Sequence, residues 1–535
     1  MDSLVNISQL SKPQDFGLEL LEREFRAFKE EITSMSPETI AEKPKSVSRG
    51  ETTQGRQESF SADGCSEIFL QRNIATYCAI WFDQYHSWFP ILHQPTVLET
   101  CQQYTDCPTA LVPVVLKAIF AVIFPTQVAH ISDTQLHKWT HDLEDDITLV
   151  SFHNLSLQSL QALLILTIPV FGSGRMAEFY NLMALCKRTQ LGLGDLVNYH
   201  CTNFCIASAI PPRMLFPPLT AVEREEKIRA FWTTEALDSI STLGAAWNLS
   251  VSRHEPAATA PCDEEIWQYP ESVLATYFFG NTNAPSSFSL FVSLATNELW
   301  QVHHFLQESY SSKASINFQQ RKEDCDAVYQ RLMSWLTDFE GILSISSPPY
   351  IDLFSEGSGQ HPNSLLIRCT IHSAVISLYQ RFIFPADGAS DSGVSWICAA
   401  DRCLESCDKM VVIVRAISDG ILETINPHII FCVFVAARFY VIYSRASNLV
   451  VPDKLYLLVY ALTVAGKRWA LAKQLKKVLD AATTESRSRS TGGHPLPAEF
   501  YDLQYLSWDI HDALRQWEQM EEAVWTQAVV SPSRG

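Results

Sequence analysis

The chain has 535 residues, of which 47% are hydrophobic and 19% charged. That balance excludes a wholly disordered protein and leaves room for a large core or for roughly two to four domains. Lys and Arg number 40 against 59 Asp and Glu, a net charge of -19. This excludes a protein that tracks phosphate backbones over its general surface, because nucleic-acid affinity is mostly neutralisation of phosphates.

In chain order, “DFGLELLEREFRAFKEEI” sets Leu18, Leu21, Phe25, Phe28 and Ile32 at spacings of 3, 4, 3 and 4. The spacing predicts a short amphipathic helix within residues 1–33; as a dimer element it would be short, so packing on its own domain is the favoured reading. Residues 34–65 are rich in Ser, Thr, Glu and Gly and are expected to be a disordered linker. Residues 66–482 read as one all-α body. Its two longest apolar runs, 111–124 with Lys117 inside and Pro125 after it, and the run from Ile429 broken by Arg438, fall short of the ~20 residues of a membrane span. Both are expected to be buried helices.

Leu157, Leu160, Leu164 and Ile168 stripe a helix that Pro169 is expected to end. Gly172 and Gly174 then form a turn within “FGSGRM”, and Met176, Phe179 and Met183 stripe a second helix with Gly192 as its stop. A third helix opens on Glu223, Glu225 and Glu226, acids that suit the positive end of the helix dipole, and carries the stripe Ile228, Trp232, Ala236, Ile240 and Leu243. Asp238, beside that stripe, is expected to be a partly buried acid paired with an arginine. More helices are expected over 288–306, 325–343, 364–384, 396–416, 427–447 and 455–481. A polar linker over 483–498 and a C-terminal helix and tail over 499–535 complete the chain.

Chemistry-bearing patterns are sparse. Fourteen cysteines are scattered with no CxxC pair and no secretory leader pattern, which reads as buried thiols in a reducing compartment. Cys398, Cys403 and Cys407 come nearest to a cluster, but only the last two share a helix face. Asp133, His137, His141 and Asp145 recur every four residues, which would serve a metal ion or a solvated helix face, and the solvated face is favoured. GxSxG, HExxH, GxxxxGK[ST] and GxGxxG are absent. No catalytic, cofactor-binding, metal or DNA-binding residue is assigned, and no cofactor or enzymatic activity is expected. The alternative for an acidic helical chain is an isoprenoid diphosphate-dependent cyclase, which needs a DDxxD trio to hold magnesium. “LEDDITLV” supplies Asp145 and Asp146 and then Ile147, Thr148 and Leu149. Lys467, Arg468, Lys473, Lys476 and Lys477, interleaved with Trp469 and Leu471, are expected on one helix as a solvated face that complements a helix C-terminus.

Three stretches in order carry a resemblance: “WFDQYHSWFPILHQPTVLE”, “LQALLILTIPVFGSGRMAEFYNLMALCKRTQLGLG” and “EREEKIRAFWTTEALDSISTLG”. Together, over about 70–270, they resemble the fungal-specific transcription factor regulatory domain, the middle homology region that follows a zinc-cluster DNA-binding domain. The matching features include the His-x-Pro-Thr string from His93, Ala184, Arg188 and Gly192, and the pairs Phe231–Trp232 and Leu237–Asp238. The chain departs from the family pattern at “GAAWN” from Gly244, where a Gly-Arg-Pro string is usual, and in having only Cys65 before Cys78 in place of a six-cysteine cluster. The resemblance implies an all-α nuclear transcription regulator, with a secondary-metabolite gene cluster as a candidate target. Its partners would be proteins of transcription, a homodimer among them, with DNA reached indirectly or through a segment further N-terminal, and no membrane. In that setting “SWFPILHQPT” is expected to be a packing wedge, its prolines fixing an extended turn, with His93 a hydrogen-bonded core residue.

Overall fold

The computed structural model describes residues 63–106, 112–127, 133–193, 218–243, 260–269, 285–311, 318–346, 361–383, 397–487 and 495–530. All of them belong to one compact unit, and every regular element among them is helical. The segment 1–33 and the linker up to residue 62 lie outside the described residues.

Helix α1 (Asp63–Gln84) begins three residues ahead of the expected boundary at 66. It buries Ile74, Tyr77, Cys78 and Trp81 at helical spacing. The wedge follows: Trp88, Phe89, Ile91, Leu92 and His93 are all buried, and Trp81 stacks on Tyr85 and meets Phe89 edge-on. Pro95 is the second residue of α2 (Gln94–Asp106), where a missing N–H costs no helical bond. Helix α3 (Val114–Gln127) runs through Pro125 instead of stopping at it, and Lys117 leaves the apolar face to pair with Asp146 of α4 (Asp133–His153) at 2.7 Å.

Helix α5 (Leu157–Gly172) is the hub of the first half. Buried all round, it packs on α3, α4, α6 (Met176–Leu193) and α7 (Ala221–Ser241) and also on two helices of the second half. Pro169 does not end it. A mid-helix proline disfavours helix by about 3 kcal/mol, yet Phe171 stacks on His428 at 3.9 Å, and a Cβ on Gly172 would sit 2.1 Å from the indole of Trp469. Packing against those two rings carries the helix one more turn. It then closes as a Schellman turn, with Gly174 at φ 79° and Arg175 N–H on the carbonyl of Val170. Gly192 lies within α6, which continues to Leu193.

Beyond the short α8 (Glu264–Trp267), helices α9 (Ser287–Ser293) and α10 (Leu299–Ser311) are joined by a π-helical turn over Leu294–Glu298. Ser239 of α7 donates to the carbonyl of Ala295 there at 2.6 Å. Helix α11 (Phe318–Ser346) leads to the second hub, α12 (Pro362–Tyr379), which packs on α9, α10, α11, α13 (Ile397–Arg415) and α15 (Pro427–Ala446). Helix α15 is long and apolar enough to cross a bilayer, but nearly all of it is buried within the protein. After α14 (Asp419–Thr424), the helix expected over 455–481 is two, α16 (Lys454–Ala465) and α17 (Ala470–Arg487). The break lets two side chains turn inward. Trp469 donates to the carbonyl of Ile425, while Arg468 reaches Tyr85 and the carbonyl of Val122 near the C-terminal end of α3.

The expected polar linker from 483 is helical as far as Arg487, and the C-terminal helix is interrupted. A single turn, α18 (Ala498–Tyr501), precedes an irregular stretch and then α19 (His511–Val530). Arg438 of α15, 1% exposed, explains the interruption: its guanidinium takes the carbonyls of Glu499, Phe500, Asp502 and Tyr505 at 3.0–3.2 Å. A continuous helix would keep those oxygens for itself.

Candidate functional site

The wedge, α5 and α7 meet at one point. Gln161 of α5 donates to the carbonyl of Ile91 at 3.0 Å, Arg229 of α7 to that of Pro90 at 3.1 Å, and the His93 backbone N–H to Glu226 at 3.1 Å. All three stretches singled out in the sequence therefore contribute to the same junction. Arg229 is fully buried. Besides Pro90 it holds Glu225 at 2.9 Å, Glu264 at 3.2 Å and the carbonyl of Cys262 at 2.6 Å, with its plane over Trp267 at 4.0 Å. Glu225 is also fully buried and accepts from Cys262 N–H, so the pair satisfies its hydrogen bonds out of water.

Burial pushes the Glu226 carboxyl up to about 7 and His86 down to about 3 at this junction. Burial also lowers His93, whose Nδ1 lies 2.7 Å from the Thr96 hydroxyl. Burial opposes the charge on Arg229, but Glu225 and Glu264 hold its pKa above the usual value. Arginine, carboxylates and imidazoles thus converge here around one another, in the way a structural keystone is built, with Arg229 and Glu225 sealed from solvent.

Asp238 is buried as expected, but its partner is a lysine. Lys187 of α6 sits 2.6 Å from Asp238 and 3.1 Å from Glu235, which accepts from Gln190 as well. The one-turn offset of Glu235 and Asp238 aims both carboxylates at α6. Burial raises the Asp238 pKa against the pull of Lys187, and the two acids together keep Lys187 charged in spite of its burial.

The other chemical candidates disperse. His141 pairs with Asp145 at 3.2 Å on an open face, side chains 61% and 72% exposed, and His137 is exposed on the same helix. Asp146 turns instead to Lys117, so the two adjacent acids of “LEDDITLV” do not share a site. Among the described residues no group of three or more His, Cys, Asp or Glu side chains could hold a metal ion. Cys403 and Cys407 are buried thiols pushed far up by desolvation, while Cys398 is exposed.

Two cavities stand out among the described residues. One, about 310 Å³, lies where the Ser173–Gly174–Arg175 turn meets α17 and α19, with Gln474, Leu475, His511 and Glu518 in its wall. Its volume is at the lower end of small-molecule sites. The other is an open groove of about 540 Å³ between the end of α16 and α17, lined by Leu462 and Thr463, by Lys467, Lys473, Lys476 and Lys477, and by Asp480. Four of the five residues of the expected basic cluster meet at this groove; Arg468 does not, being turned into the core toward α3. Sequence spacing could not assign Arg468 inward, because the turn that redirects it is held by Trp469 and by residues more than three hundred positions away.

Residues 79–337 match the model of the fungal specific transcription factor domain. The chain carries that domain. It runs from within α1 to within α11, so the junction around Arg229 and the Lys187 cluster both lie inside the fungal specific transcription factor domain, while Arg438 and the lysine groove lie outside it. A curated relative, the notoamide biosynthesis cluster transcriptional coactivator notQ' of Aspergillus versicolor, is 25% identical over 444 residues, covering 82% of this chain and 72% of the relative. That alignment is longer than the domain match, so similarity reaches beyond the fungal specific transcription factor domain. No solved structure matches the chain.

Proposed function

We propose that this transcription regulator acts in the nucleus as a coactivator of a biosynthetic gene cluster, through contacts with other proteins and without reading DNA itself. The observation that carries the reading is the fungal specific transcription factor domain, whose signature stretches are spent on a sealed ionic junction, taken with the coactivator named among its relatives. One further fact supports it: the net charge of -19 opposes general phosphate binding.

Deleting the gene is the test. Transcripts of a biosynthetic cluster should fall about tenfold or more, and the chain fused to a heterologous DNA-binding domain should activate a reporter. In the same study the purified chain should leave a DNA duplex unshifted at about 0.15 M salt, where specific binders hold at about 10⁻⁸ M or tighter. Unchanged transcripts would overturn the regulatory reading, and specific nanomolar DNA binding would overturn the indirect one. Magnesium-dependent release of diphosphate from a prenyl diphosphate would restore the cyclase.

A further inference from the structure

Helix α16 buries Leu455, Leu458, Ala461 and Leu462, yet its outer face is not polar. Tyr456, Leu457 and Tyr460 are 42%, 39% and 51% exposed, and Thr463 continues the same face at helical spacing into the lysine groove. A single exposed leucine is ordinary; an aromatic and aliphatic stripe ~10 Å long, ending in a groove, marks a contact surface. Across the groove, α17 repeats its charges at helical spacing, with Lys473, Lys476 and Lys477 on one face and Lys467 at its head. Four lysines thus face one aspartate in a chain whose overall charge is -19.

The ion pairs these lysines already make are weak competitors. Lys476 pairs with Asp480 within its own helix, Lys467 with Glu423, and Lys477 lies 3.9 Å from Glu518. All three pairs reach solvent, where water and salt screen such contacts and they exchange readily.

We propose that the α16–α17 face docks an acidic amphipathic helix of a protein partner, its carboxylates on the groove lysines and its apolar side chains on Tyr456, Leu457 and Tyr460. The proposal rests on the reading of the chain as a regulator that works through protein contacts. Charge alone would admit nucleic acid too, but three features favour the peptide. The apolar stripe has no counterpart in a phosphate backbone, Asp480 sits among the lysines, and Arg468, the one arginine of the cluster, points into the core.

The experiment titrates the full chain, by fluorescence anisotropy at about 0.15 M salt, into a labelled peptide of about 20 residues, ~30 Å as a helix. Glu and Asp lie on one face of the peptide and Leu and Phe on the other; a scrambled peptide and a DNA duplex of similar length serve as comparators. We expect saturable binding of the amphipathic peptide, about fivefold or more weaker binding of the scrambled one, and little of the duplex. Lys473→Glu/Lys476→Glu should weaken binding about tenfold, and Leu457→Ser about threefold or more, with thermal midpoints unchanged because these side chains are at the surface. No binding, equal binding of the scrambled peptide, indifference to the charge reversals, or equal binding of the duplex would each overturn the proposal. If the peptide fails while gene deletion still silences a cluster, the docking site is wrong and the regulator stands; if the peptide binds while transcripts are unchanged, the reverse holds.

Discussion

Each half of the molecule is tied together by one buried arginine, and the two are buried by different means. Arg229, inside the fungal specific transcription factor domain, is met by the carboxylates of Glu225 and Glu264 together with two carbonyls and the Trp267 ring. Arg438, beyond that domain, is fixed by four main-chain carbonyls of the segment from Glu499 to Tyr505. A carboxylate partner can be supplied by a neighbouring turn of the same helix, as Glu225 is. Carbonyl partners require a loop to unwind around the cation. The first solution joins elements already formed; the second dictates the conformation of a segment that would otherwise continue as helix.

If that contrast is right, the arginines should fail differently. Arg229→Met strands the Glu225 charge at 0% exposure, and removing one partner of a buried pair costs about 3–5 kcal/mol. We expect the largest drop in denaturation midpoint from this change, with much of it recovered in Arg229→Met/Glu225→Gln, where no charge is left alone. A single variant as unstable as the double would show that packing, not charge, sets the loss. Arg438→Lys keeps its charge but gives up the planar fork, leaving carbonyls unmet at about 1–3 kcal/mol. Its damage should be local, seen as faster amide exchange in residues 499–506 while α5 and α12 stay protected. Uniform loss of protection across both halves would erase the distinction between the two arginines.

The same contrast explains what could be read from the amino-acid order. Stripes such as Leu157, Leu160 and Leu164 announce helices because burial and spacing are local properties, and the helical class follows from them. The stretches “SWFPILHQPT” and “EREEKIRAFW” could be recognised as important, and the wedge packs as expected, but their joining through Pro90, His93, Glu226 and Arg229 spans more than a hundred positions. Boundaries failed where tertiary contacts overrode local signals: Pro169 is carried through by His428 and Trp469, and the helix expected from 499 is unwound by Arg438. Asp238 was legible as a paired acid, but its partner, Lys187, depends on how α6 lies against α7. The lysines of α17 were visible as a cluster; the groove that makes them a surface needs α16 folded back beside them, and a turn at 466–469 is not encoded by any proline.

Protonation separates the halves by the smallest margin and can be measured most cleanly. Burial pushes His86 down to about 3 and His303 to about 4 in the first half, and His428 to about 3 and His372 to about 4 in the second. These groups bind protons more readily once unfolded, so their contribution is complete above pH 6.5 and is lost as pH falls from there through about 4 for His303 and His372 and about 3 for His86 and His428. In the first half, burial also raises the carboxyls of Glu144, Glu226 and Asp238, which act in the opposite sense. Glu226, held at about 7 against an ordinary 4.5, favours the fold fully below pH 4.5, and that contribution disappears as pH rises through 7. Glu226→Gln keeps an oxygen for the His93 N–H and removes the titration. Because the side chain retains some exposure, we expect about 1–2 kcal/mol of stabilisation at pH 8 and almost none at pH 4.5. The midpoint of denaturant unfolding at the two pH values decides it. Equal shifts at both would mean that Glu226 is not an ionised buried acid at neutral pH, and that the domain junction is indifferent to its charge.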